Sequence, residues 1–163
     1  MPDSQKISEK QSEYMNLIAE IMDIRKRGEK PVAYIRTYGC QQNVADSEKI
    51  KGMLEQSGFE FADEPDNADF ILFNTCAVRE HAEDRVFGNV GALKNLKRKH
   101  PQILIALCGC MMEQEHIANR IYKSFPFVGL VFGTHSLHHF PELMYNAVSY
   151  THLRAHETLS DLV

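Results

Sequence analysis

Cysteine thiolates are soft ligands for zinc and for iron–sulfur clusters. Three of the chain's four cysteines end apolar, strand-like runs: Tyr34-Ile35-Arg36-Thr37-Tyr38-Gly39-Cys40, Phe70-Ile71-Leu72-Phe73-Asn74-Thr75-Cys76 and Ile103-Leu104-Ile105-Ala106-Leu107-Cys108-Gly109-Cys110. If these runs are strands of one parallel sheet, Cys40, Cys76 and Cys110 emerge together at its carboxyl edge, where open α/β sheets bind their ligands. Zinc ribbons and fingers bring their ligands in close pairs, and no Cys-x-x-Cys pair is present. The signal is therefore the repeated placement after strands. One free cysteine is usually just a buried small residue, but three at corresponding strand ends point jointly to a metal or iron–sulfur site. Gly39 and Gly109 each precede one of them, and glycine lets a chain turn sharply and bring its backbone near a bulky group. Clusters commonly take four cysteines, so a cluster held by three leaves one iron open to an external ligand. Cys108 lies inside the third run and reads as a core residue. Were it a fourth ligand, the site would be a structural four-cysteine zinc.

Other candidates carry less. Asn43, Asp46 and Ser47 follow Cys40 and could orient a loop or ligand, although helix capping explains them as well. Arg79 and Glu80 follow Cys76 at the start of a helix; Glu80 suits the helix dipole there, and Arg79 would place a positive charge near an anionic group. Lys94, Lys97, Arg98 and Lys99 end that helix, where cations are favourable without any contact to RNA. His135, His138 and His139 form no metal motif. Walker, Gly-x-Gly-x-x-Gly and Gly-x-Ser-x-Gly signatures are absent, which removes support for simple NTPase, dinucleotide and esterase readings.

The elements that must position the cysteines follow from the hydrophobic pattern. With 163 residues, 44% of them apolar, the chain has the size and content for one domain with a real core. A formal net charge of −4 argues against nonspecific electrostatic wrapping of nucleic acid. No signal-peptide core and no bilayer-length apolar stretch is seen, so the expected location is the cytoplasm, where thiols stay reduced. Ser8 and Gln11 form a capping box, opening an amphipathic helix with Tyr14, Leu17, Ile18, Ile21 and Ile24 on its apolar face. Strands are predicted at 32–38, 59–61, 70–73, 103–107 and 128–132. Helices are predicted at 43–57, 113–124 and 141–147, with one long helix that carries Ala82, Val86, Val90, Leu93 and Leu96 on one face until His100-Pro101 breaks it. Alternating β and α elements imply right-handed crossovers, hence an α/β fold: a three-layer flavodoxin-like domain with a mainly parallel sheet, preceded by an N-terminal helix. The division is a helical extension at 1–30, the domain at 31–148, and a tail at 149–163. That tail lacks a hydrophobic period and looks vector- or linker-derived.

Thr37-Tyr38-Gly39-Cys40-Gln41-Gln42-Asn43, Asp46-Ser47-Glu48, Asn74-Thr75-Cys76-Ala77-Val78-Arg79-Glu80 and Gly109-Cys110-Met111 together resemble the N-terminal domain of the radical-SAM methylthiotransferases. The likeness covers residues 32–147 and is nearest to the tRNA-modifying branch, in which Gln42 stands where Met is common. The resemblance implies that Cys40, Cys76 and Cys110 hold an auxiliary 4Fe–4S cluster. It also implies that S-adenosylmethionine and a second 4Fe–4S cluster belong to a following domain. The complete enzyme would take tRNA and a sulfur donor as partners and add a methylthio group to carbon 2 of isopentenyladenosine next to the anticodon. The Cys-x-x-x-Cys-x-x-Cys motif of the second cluster is not in this sequence. The expectation is thus a truncated, inactive fragment, the alternative being a noncatalytic binding module with a structural zinc or no metal.

Overall fold

Apolar runs too short for helices, separated by Gly, Pro and Asp/Asn turns, become strands, and the longer periodic segments between them become helices. The computed structural model describes the backbone of residues 2–76 and 82–161 and the side chains of residues 8–76 and 84–150. Its strands are β1 (Val32–Thr37), β2 (Glu60–Phe61), β3 (Phe70–Thr75), β4 (Leu104–Gly109) and β5 (Leu130–Phe132). The helices are α1 (Pro2–Lys26), α2 (Gln41–Gln56), α3 (Ala82–Ala92), α4 (Lys94–Lys99), α5 (Glu115–Ser124) and α6 (Phe140–Asp161). Among the described residues all strand pairs are parallel and the order is β2-β1-β3-β4-β5. This is the flavodoxin-like order.

Side chains alternate across the sheet with period two. Phe70 and Leu72 of β3, with Leu104, Ala106 and Cys108 of β4, pack under α1, α2 and α6 through Ile18, Ile50, Leu54 and Phe140. Ile71, Phe73, Ile105 and Leu107 face the other way, onto Val86, Val90, Ile117 and Ile121 of α3 and α5. Every residue of β3 and β4 is buried, as expected for central parallel strands covered on both faces. Among the described residues no helix is long and apolar enough to cross a membrane.

Four local expectations need correcting. The first helix begins at Pro2, so Ser8 lies within it. Gln11 is buried, and its Oε1 accepts the Glu142 backbone N–H at 3.1 Å, capping α6 rather than its own helix. The long helix expected to run unbroken to His100-Pro101 divides at Leu93. There ψ is −10° and the Leu93 N–H bonds to Val90 O, a tighter turn than the α ladder makes. The final helix, read as ending near Ala147, runs to Asp161 into the segment read as a separate tail. No Gly or Pro follows Pro141 to stop it, and extending a formed helix is easy. Lys97 is also not a free surface cation: its Nζ donates to the carbonyls of Pro101 (2.6 Å) and Ile103 (2.5 Å), and burial holds its pKa below the usual lysine value.

Candidate metal centre

β1 and β3 are neighbours, but the chain leaves β1 through α2 on one face of the sheet and leaves β3 toward α3 on the other. Diverging connections open a crevice at such a switch point. Cys40 caps the N-terminus of α2 just past β1, Cys76 follows the last residue of β3, and Cys110 opens a 3₁₀ turn, Cys110–Glu113, directly after β4. Cys40 is exposed, Cys110 half-buried and Cys76 buried.

Two glycines bring the loops together. Gly39 has φ +120°, and a Cβ there would overlap the Cβ of Cys76 and lie 2.7 Å from Asn43 Oδ1. Gly109 has φ +110°, and a Cβ there would fall on the carbonyl oxygen of Thr75. Both loops thus close onto residues 75 and 76, a backbone approach open only to glycine. The Cys110 Sγ lies 3.9 Å from Thr75 O, and the Cys76 side chain adds a small share to the lowering of the Cys40 pKa.

A buried polar network supports this edge. Asn43 Nδ2 donates to Asn74 Oδ1 and to Thr75 O, both at 3.0 Å. Asn74 Nδ2 donates back to Asn43 O (2.9 Å) and to Ser47 Oγ (3.0 Å). The Thr37 and Ser47 hydroxyls meet at 2.7 Å, and Thr75 Oγ1 donates to Cys108 O at 2.9 Å. Of the residues read from the sequence as loop-orienting or capping, Asn43 does both, whereas Ser47 lies inside α2 and ties it to Thr37 and Asn74 without capping it. Asp46 accepts from Gln42 Nε2 at 2.9 Å. Asn74, Thr75 and Thr37 carry the rest of the network, a role that the motif alone does not assign to them. The available signal was polar Asn74-Thr75 ending an otherwise apolar run. Arg79 and Glu80 lie outside the described residues.

Electrostatics separates the cysteines. The backbone N–H groups of Asn43 and Gln42, at the start of α2, point at the Cys40 sulfur and hold its pKa below the usual thiol value. Burial pushes the Cys108 thiol well up, with Asp46 adding to the effect. Cys108 belongs to the core beside Phe132, its partner on β5, so it could join the other three only by unpacking the sheet. Among the described residues no three His, Cys, Asp or Glu side chains gather tightly enough to hold a single metal ion. Three thiols on three loops, two of them led in by glycines where a Cβ would collide, form a donor set suited to an iron–sulfur group. The histidines stay apart from it. His135 pairs with Glu113 through its backbone N–H (3.1 Å) and Nε2 (3.4 Å), pinning the loop after β5 to the turn that begins at Cys110.

Residues 32–133 match the model of the "Uncharacterized protein family UPF0004". Similar curated proteins include tRNA-2-methylthio-N(6)-dimethylallyladenosine synthases. The one from Caldicellulosiruptor saccharolyticus is 52% identical over 124 residues, 76% of this chain and 26% of that protein. The Clostridium beijerinckii protein is 50% identical over 131 residues, 80% of this chain and 29% of its own length. The Halalkalibacterium halodurans protein is 48% identical over 133 residues, 82% and 24% respectively. This chain thus spans less than a third of the length of these relatives. By the extent of these matches, the chain belongs to the UPF0004 family, the N-terminal portion of the radical-SAM methylthiotransferases.

Proposed function

We propose that this chain is the portion of a tRNA methylthiotransferase that holds an auxiliary 4Fe–4S cluster through Cys40, Cys76 and Cys110. The single observation that carries this reading is the convergence of three strand-end thiols on residues 75 and 76, with the fourth thiol sealed in the core. When bound, such a cluster supplies an iron with a free coordination position for sulfur. The chain's own residues do the rest. Three thiolates bind, Gly39 and Gly109 admit the backbone, and the sheet edge leaves one side open for a substrate to approach.

The complete reaction, methylthio transfer to carbon 2 of isopentenyladenosine beside the anticodon, belongs in this reading to a longer protein. That protein also provides S-adenosylmethionine chemistry, a second cluster and the tRNA-binding surface, and works in the cytoplasm with a sulfur donor. The present chain alone does not complete the transfer.

The test is anaerobic reconstitution with iron and sulfide, followed by metal analysis, absorption and EPR spectroscopy of wild type and the four single Cys→Ala variants. The expected result is about four irons per chain, lost in Cys40→Ala, Cys76→Ala and Cys110→Ala and retained in Cys108→Ala. Stoichiometric zinc that depends on all four thiols, or no specific metal uptake, would overturn the assignment in favour of a binding module.

A further inference from the structure

The Asn43 side chain bridges the Cys40 loop and the end of β3. Its two amide hydrogens are committed to Asn74 Oδ1 and Thr75 O. Both amide hydrogens of Asn74 are committed in turn, to Asn43 O and Ser47 Oγ. With every N–H spoken for, neither amide is free to flip, and Asn43 Oδ1 must face the Cys40 loop. There it accepts from the Cys40 backbone N–H and from its thiol, both at 3.3 Å. The Asn43 backbone N–H completes a reciprocal capping box with the sulfur. Cys40 itself is exposed and carries no packing that would hold it, whereas Asn43 and Asn74 are buried.

We propose that Asn43, locked by Asn74, is a positioning residue that holds the Cys40 sulfur against Cys76 before any metal arrives. The role requires an amide. Aspartate has the same shape, but it would set an acceptor oxygen where Nδ2 now donates, against two further acceptors, and a buried acceptor left without a donor is costly. The inference rests on the cluster reading for its purpose, though the thiol arrangement it concerns belongs to the metal-free chain.

The test uses dibromobimane, which becomes fluorescent on bridging two nearby thiols, applied to the reduced, metal-free full chain, with peptide mass spectrometry to count Cys40–Cys76 links. Asn43→Asp and Asn43→Ala are compared with wild type and with Ile121→Val, a core change under the opposite face of the sheet, each yield being divided by the folded fraction from a melt. Releasing the loop lowers the effective concentration of one thiol at the other, so both Asn43 variants should lose link yield by about tenfold, with Ile121→Val unchanged. Wild-type yields in the Asn43 variants, or an equal loss in Ile121→Val, would overturn the proposal. Should Asn43→Asp not fold, Asn43→Ala decides, because it removes the clamp without opposing acceptors. Iron uptake measured in parallel separates the two claims. A wild type that links but takes up no iron removes the cluster reading and leaves the clamp standing. Iron uptake with links unaffected by Asn43 removes the clamp alone.

Discussion

Cys108 and Cys110 are two positions apart, and Gly109 between them changes what each sulfur can do. The strand's alternation turns Cys108 into the core, while the left-handed turn at Gly109 carries Cys110 out to the edge. Burial raises the Cys108 pKa above its unfolded value, so the folded chain keeps this thiol neutral when the unfolded chain would ionise it. The resulting stability is complete below the unfolded pKa and is lost as pH rises. Cys108→Ala should therefore cost about 1 kcal/mol near neutral pH through the cavity it leaves. The gap to wild type should then close by about 1.4 kcal/mol per pH unit above roughly pH 8.5. Urea unfolding at pH 7 and pH 9.5 reads this directly, and a gap independent of pH would mean that the thiol ionises in place. The core position of Cys108 could be read from its place inside an apolar run. The Asn43–Asn74 lock could not, because which amide meets which carbonyl is decided only when α2 docks on β3.

Helix α1 shows how a correct period can carry a wrong phase. Tyr14, Leu17, Ile18, Ile21 and Ile24 were read as its apolar face, yet the buried positions are Gln11, Met15, Ile18 and Met22. A polar residue is excluded from any stripe drawn by hydropathy, and Gln11 is inside because α6 needs its oxygen. Arg25 adds a second tie, donating from Nη2 to Val148 O at 3.0 Å. Ile18 is 1% exposed and Ile24 is 70% exposed, which separates the two readings experimentally. Ile18→Ala should lose about 3 kcal/mol, and Ile24→Ala should stay within about 0.5 kcal/mol of wild type, both by chemical denaturation. Equal losses would return the face to its hydropathic phase. Helix ends were the least legible: α6 runs on because nothing in its sequence stops it, and α3 tolerates Gly88 in its interior yet breaks at Leu93, two residues after Gly91.

At the scale of the molecule, the three-layer plan was legible because alternating strands and helices permit few arrangements. The strand order was not, since sequence alone does not say which strand lies beside which. That order places β3 and β4 at the centre and leaves β2 and β5 as edges, with both residues of β2 exposed. Amide hydrogens of β3 and β4 should exchange only with global unfolding, and those of β2 and β5 through smaller openings. Hydrogen exchange followed by mass spectrometry or NMR checks this, and equal protection across all five strands would show that the sheet opens as one unit. Cys76 and Cys110 then leave from the slowest part of the molecule, whereas Cys40 depends on its loop. The pairing of α1 with α6 also bears on how the chain is born. Gln11 precedes Glu142 by 131 residues, which a ribosome adding 5–20 residues per second takes roughly 7–26 s to cover. Through that interval the emerging α1 has no α6 backbone to cap, and its apolar side stays available to a chaperone until synthesis reaches the helix that claims it.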